Sequence, residues 1–450
     1  MKKVLILLGD CPGQYVPLMH KIASQLISDG VEVVFAATSP FYERFTNTNC
    51  GEVAPIYYLS DYLNNEFDAE TLASIEIDYW TAYPTFIRDN YFYGRHRSSW
   101  DEYKKIVMFF DEIFAGNRFD VVVSEPPSNS FLYIGYSKAK QVGAEFIGFM
   151  PARVEAHVNI FQDPYGEKLL TNSSEVIGAS VDYTKPPDYL KPRKGELAFL
   201  KTIHRLIRSF NLISLKSHET GKTFLHQLRA YYKKYIWRRI RYRWVSLSDV
   251  FVDDIQSPDT INVLFPMHLR PESSTSVLSR YYEYDLELLK NIAFSLPSNA
   301  RLIVKEHKQA LGTRDISFYR YVASLPNTYL LNPNFDLKPN INRFDALVTL
   351  TSTAGFEALC AGVPVLQMGR TFYSNYDGVV LVDSFAKLES ALRGLEKKLL
   401  KPNPQVMHHY MSKCFPGHFN YMHDEVLSDQ NVQRLLFPIY SVLKLTGELN

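Results

Sequence analysis

Residues 348–369 read VTLTSTAGFEALCAGVPVLQMG, and the fold is decided by how that stretch is read. The apolar run 346–350 has the length of a buried strand, and 364–368 has the length of a second. Between them stand the small residues Thr351, Ser352, Thr353, Ala354 and Gly355, then the helical run FEALCAG. Strand, tight turn, helix and strand make the parallel βαβ pattern. Ser352 or Thr353 can cap the helix, and the first helical N–H groups then face the same mouth. Such a helix start suits phosphate, because the donors and the positive end of the dipole point one way. Gly355 allows a ligand to approach the backbone closely. Glu357, in the first turn, can accept a hydrogen bond from a sugar hydroxyl. The same residues also describe an ordinary capped helix of an α/β protein.

The chain has 450 residues, which predicts two domains of about 200 residues each. An apolar content of 46% is that of a globular protein, and a net charge of +1 gives no overall bias toward nucleic acid. The four cysteines (Cys11, Cys50, Cys360, Cys414) show no CxxC or metal spacing, which fits free thiols in a reducing compartment. The opening MKKVLILLGDCPGQ is read as a first strand rather than a signal peptide, since its apolar run ends in a turn after residue 8. No run approaches the roughly 20 apolar residues of a membrane span. The expected location is the cytoplasm.

Working outward, residues 3–8, 31–36, 119–124 and 145–149 read as strands, with helices over 15–29 and 131–141. They compose a first doubly wound domain over 1–250. Its first loop has Gly9 and Gly13 but no GxGxxG, so no dinucleotide fold is assigned. Residues 60–118 are aromatic and helical in tone, an insertion whose rings mostly pack. Glu125 follows one strand. Arg153, Glu155 and His157 follow another, on the same rim. Glu125 and Glu155 are therefore candidates for general base or nucleophile, against a helix cap and an exposed loop as the plain alternatives.

Residues 191–243 hold fifteen lysines and arginines against two acids, a local +13 with aromatics interleaved. This suits an anionic membrane surface or an acidic glycan, or a solvated helix face. No nucleic-acid motif accompanies it. Residues 245–260 read as a linker.

A second βαβ domain is expected over 251–430, with a helix over 431–450 able to cross back. Its strand-end loops hold His268, Arg270 and Glu272, then Lys305, Glu306 and His307, then Arg314, then Ser352 and Thr353. Cations and hydroxyls around a helix start fit an anionic ligand carrying a sugar, a nucleotide sugar. Lys305, His307 and Arg314 would stabilise charge growing on a leaving phosphate. No DxD-like pair marks a metal site, so none is assigned, and no cofactor beyond the donor is expected.

Two such halves resemble the GT-B glycosyltransferase architecture. The segments PMHLRPESSTSVLS, LIVKEHKQALGTRDISFYR, LPNTYLLNP and VTLTSTAGFEALCAGVPVLQMG, in that order, resemble the bacterial capsular-polysaccharide synthesis family, which includes Kdo transferases. The resemblance covers about a quarter of the chain. It sets His307 at the family's KEHP-like motif and Ser352 and Thr353 at its nucleotide-phosphate turn. Lys308 stands where the family has proline. The resemblance implies a metal-independent glycosyltransferase, with a CMP-linked donor favoured and a surface polysaccharide or glycolipid as acceptor. A nucleotide-sugar 2-epimerase and a non-enzymatic, membrane-docked scaffold are the competing classes.

Overall fold

The computed structural model describes residues 1–9, 14–78, 100–172, 237–246, 248–253, 260–270, 275, 278–307, 310–396, 405–419 and 424–445. Two seven-stranded sheets organise them. The basic stretch 191–236, Glu272 and Lys308 lie outside the described residues.

The first sheet begins with β1 (Lys3–Leu8), whose residues Val4, Leu5, Ile6, Leu7 and Leu8 are all buried. A strand covered on both faces reads as a continuous apolar run, which is why it was legible. Helix α1 (Tyr15–Ser28) leads to β2 (Glu32–Ala37), and β3 (Ile56–Tyr58) lies outside it. Then come α2 (Trp100–Ala115), β4 (Val121–Ser124), α3 (Ser130–Gln141), β5 (Glu145–Pro151) and β6 (His157–Phe161). The described aromatics of the expected insertion pack inward. Phe110 lies tilted against Phe131 at 5.1 Å and Tyr62 meets Phe109 edge-on at 5.6 Å.

The second half contains α4 (Arg238–Ser246), β7 (Phe251–Val252), β8 (Ile261–Pro266), α5 (Asp285–Ser295), β9 (Ala300–Lys305), α6 (Ile316–Ala323) and β10 (Thr328–Leu331). There follow β11 (Ala346–Thr349), α7 (Thr353–Cys360), β12 (Val365–Gln367), β13 (Val379–Leu381) and α8 (Phe385–Glu396). The strands run β13-β12-β11-β8-β9-β10-β7, all parallel.

Both sheets have the doubly wound order. From the third strand of each the sequence steps back to the first, then jumps to the fourth: β3-β2-β1-β4-β5 and β10-β9-β8-β11-β12. Each sheet therefore has one switch point, β1/β4 and β8/β11, where loops diverge at the carboxyl ends and leave a crevice. This is the expected two-domain, GT-B-like α/β class.

Three local readings are corrected. Residues 251–252, inside the expected linker, pair with β10 as an edge strand. A two-residue strand is too short for any period to show. Arg153, Glu155 and His157 do not form one loop: β5 and β6 are antiparallel, and His157 opens β6. Ala156 takes φ 56°, which closes the tight connection. Finally, the return to the first sheet starts before 431. Helix α9 (Val406–Met411) leads to β14 (Cys414–Pro416), which pairs antiparallel with β6. Helix α10 (Asp429–Leu443) then packs on α1, with Leu435, Leu436 and Ile439 in one core with Leu18, Ile22 and Leu26. Lys21 and Asp429 pair at 2.9 Å on its rim.

Candidate active site at two facing switch points

The β8/β11 switch point is built around His268. It follows β8 and is 5% exposed. Its Nε2 accepts the Thr351 amide at 3.3 Å and lies 3.4 Å from Thr349 Oγ1. The Thr349 hydroxyl oxygen accepts the Ser352 amide, and Ser352 Oγ caps α7 by accepting the Ala354 amide at 3.2 Å. Burial, with Arg270 nearby, pushes the imidazole down to about 3. His268 is thus a neutral acceptor that shapes the turn, not the cation the sequence suggested. The turn also consumes its own donors. The amides of Thr351, Ser352, Ala354 and Gly355 are all bonded within it or to His268. For Thr353, at the first position of α7, no hydrogen bond of the amide or the hydroxyl is seen among the described residues.

At Gly355 a Cβ would lie 2.4 Å from the Tyr373 hydroxyl, so the missing side chain makes room for Tyr373. The Tyr373 hydroxyl donates to the Ser352 carbonyl. Beneath the turn, Gln367 is the register partner of Thr349. It is fully buried, and neither its Oε1 nor its Nε2 has a partner among the described residues. The apolar run VLQM gave no sign of it.

The expected ring of free cations is also corrected. Arg314 makes two bonds to Glu306, at 2.8 and 2.9 Å, and two more to Asp285. Its Nη2 also donates to the His268 carbonyl at 3.3 Å. Arg270 donates to Asp285 at 2.8 Å and to the Tyr282 carbonyl. Glu306 further accepts the Tyr319 hydroxyl and the His307 amide, each at 2.7 Å. Two arginines face two carboxylates, so the group is neutral, and it is nearly buried. It braces the loops after β8 and β9 against α5 and α6. Lys305 and His307 remain nearer the rim. Lys305 donates to the Pro333 carbonyl at 3.1 Å, and His307 is exposed. Among the described residues no group of three or more His, Cys, Asp and Glu could hold a metal ion.

At the β1/β4 switch point Glu125 is 8% exposed. It is not a helix cap, because Asn129 caps α3 by accepting the Leu132 amide. A Cβ on Gly9, after β1, would sit 2.6 Å from Glu125 Oε1. The glycine therefore lets the carboxylate lie against the first loop. Glu155, by contrast, is exposed in the β5–β6 turn, where its carbonyl lies 2.7 Å from His157 Nδ1.

The two mouths are joined by named contacts. Tyr410 of α9 donates to Asn159 Oδ1 and accepts the Arg153 amide at 2.8 Å, while its ring lies 4.6 Å from Phe356 and 5.3 Å from Phe372. The Arg153 guanidinium stands 5.8 Å over Phe372. Arg370, after β12, meets Glu167 across the seam at 3.5 Å. Glu357 on α7 has Lys338 at 3.8 Å. Burial raises its carboxyl pKa, while Lys338 and Arg153 pull it back. Sequence reading missed Asp285, Tyr319, Glu167, Lys338 and Tyr410. None has a local signature, and each matters only through a partner far along the chain.

The family model for "Capsule polysaccharide biosynthesis protein" matches residues 192–407. No curated protein sequence matches the chain. Among solved structures, the KpsC β-Kdo 2,7 transferase of Thermosulfurimonas dismutans is similar at 15% identity and TM-score 0.34, covering 84% of this chain and 98% of that one. Its β-Kdo 2,4 transferase gives 14% and 0.31, over 66% and 79%. S. aureus MnaA bound to UDP gives 12% and 0.29, over 99% and 98%. Likeness at this level carries no argument about activity. The motifs at 266–279, 302–320 and 348–369 all lie inside the segment, residues 192–407, that matches the capsule polysaccharide biosynthesis family model.

Proposed function

We infer that the chain transfers a sugar from a nucleotide-activated donor, CMP-linked by preference, to a surface polysaccharide or glycolipid. The observation that carries this reading is the pair of switch points. A capped helix start with Thr353 at its first position belongs to one half, and a buried carboxylate, Glu125, belongs to the other. The donor phosphates would rest at Thr353 and the start of α7, with Lys305 and His307 at the rim. These groups would stabilise charge on the departing phosphate. Glu357 would accept a hydrogen bond from a sugar or ribose hydroxyl. Glu125 would take the proton from the acceptor hydroxyl, or attack the sugar itself if the reaction proceeds through a covalent intermediate. Arg314 and Arg270 take no part in charge stabilisation in this reading, since Glu306 and Asp285 already neutralise them. They position the His268 and His307 loops. Epimerisation draws on the same architecture, but it gives no role to an acceptor.

The test is a thermal-shift series with CMP, UDP, GDP and dTDP, followed by transfer assays with the matching donor. A nucleotide at about 100 times its dissociation constant stabilises by roughly 2.7 kcal/mol. The expected result is a selective CMP shift that is lost in Lys305→Ala. A UDP or GDP shift would overturn the donor class, and no shift at all would overturn the transferase reading.

A further inference from the structure

Helix α4 sits with its usual polarity reversed. Its inward stripe is Arg238, Arg241 and Val245, spaced i, i+3 and i+7 along one face. Arg238 Nε donates to the Leu311 carbonyl at 3.5 Å. Arg241 Nη1 donates to Asp315 at 2.6 Å and to the Thr313 carbonyl at 3.4 Å. Val245 is buried in the core that also holds Leu288 and Ile292 of α5 and Tyr319 of α6. The seat is Gly312, at φ +83°. A Cβ there would lie 2.5 Å from the Arg238 carbonyl oxygen and 2.8 Å from the Tyr242 amide, so the helix backbone rests directly on the glycine.

A second stripe, about 100° round the helix, has the same spacing and is apolar. Trp237 is 46% exposed, Ile240 41% and Trp244 73%. Arg243 is exposed on the same outer side. A helix on a protein surface ordinarily buries its apolar stripe and solvates its charges. Here the arginines are spent holding the helix, and the tryptophans face out on a fixed platform.

We propose that the outer face of α4, formed by Trp237, Ile240, Arg243 and Trp244, docks on an anionic lipid bilayer. Three observations choose this occupant. Indole side chains, apolar with one polar tip, are among the residues that settle at the headgroup level. Asp315 neutralises Arg241, but α4 itself carries no acid and its Arg243 is exposed on the outer side, so the face favours an anionic surface. No helix among the described residues is long and apolar enough to cross a membrane, and α4 is tied down along its inner face, so its described part lies on a membrane rather than in it.

The test is co-sedimentation of the full chain with phosphatidylcholine vesicles and with vesicles containing phosphatidylglycerol, at low and at physiological ionic strength. Binding should need the anionic lipid, weaken with salt, and fall about tenfold in Trp237→Ala/Trp244→Ala and in Arg243→Glu. Emission from wild-type tryptophans should shift to the blue on binding, and the double variant should lose that shift. The replaced side chains are exposed, so melting temperatures should stay at the wild-type value. Should the double variant fail to fold, Trp244→Gln alone gives the same readout. Equal binding to neutral and anionic vesicles would overturn the proposal. So would anionic binding that both variants leave intact, since another basic stretch would then be responsible. Preferential retention on nucleic acid, or a dimer that the tryptophan variant dissociates without vesicle binding, would also overturn it. None of these outcomes depends on the nucleotide series, so the two readings fail separately.

Discussion

Glu125 and Glu155 show how one residue type at two strand ends acquires two different roles. Both follow strands of the first sheet, and neither can be preferred from sequence. In the fold, Glu125 is nearly buried beneath Gly9 at the switch point, while Glu155 lies in solvent at a hairpin turn. A general base must be held where water does not compete for it. Glu125→Gln should therefore lower kcat by about two to four decades while the nucleotide shift persists. Glu155→Gln should stay within a few-fold of wild type. Steady-state kinetics on the donor identified by the nucleotide series decides between them, and the reverse pattern would move the base to the turn. Glu125 was legible as a candidate because it ends a clear apolar strand. Its standing over Glu155 was not, because burial at a strand end depends on which loop covers it.

At the scale of an element, α5 has a duty that its sequence hides. Asp285, its first residue, reads as an ordinary acid in a first helical turn, favourable to the dipole. In the fold it holds Arg270 from the loop after β8 and Arg314 from the loop after β9. All three side chains are 12–14% exposed, so removing the acid leaves Arg314 with Glu306 alone and Arg270 without its carboxylate. Asp285→Ala should cost about 3–5 kcal/mol, the scale of a broken buried pair. The urea midpoint should fall with the m value unchanged. A change below about 1 kcal/mol would mean that solvent reaches the pair as at a surface bridge. The arginines were visible in sequence as cations near a helix start. What neutralised them was not, since the Arg314–His268 contact alone spans 46 positions.

Across the whole molecule, the returning segment couples the two sheets. Tyr410 reaches Asn159, the Arg153 backbone, Phe356 and Phe372 at once. Its hydroxyl is buried, so Tyr410→Phe leaves an acceptor and an amide without their partner. The expected loss is about 1–3 kcal/mol in stability. Because the lost bonds join the halves, transfer should fall more than nucleotide binding. A melting curve together with a kcat and KM comparison reads this. Equal losses in both would mean that the seam is structural only.

Apolar runs by themselves determined most of the chain's architecture. Strands β1 and β11 stand within a residue of where their runs placed them, because strands buried on both faces must be continuously apolar. Two parallel βαβ units, the capped helix at 353 and the ligand side of each sheet follow from such local patterns. Tertiary structure decided which charges were neutralised, which carboxylate was buried, that Gly355 admits Tyr373, and that α4 turns its tryptophans outward. Short edge strands such as β3, β7, β13 and β14 also waited for it, since two or three residues carry no period. The reason is distance along the chain. Hydrophobic periodicity is written in neighbouring residues, whereas the doubly wound order brings His268 to Thr351, 83 positions away. The identity of such a partner is set only when β8 and β11 lie side by side.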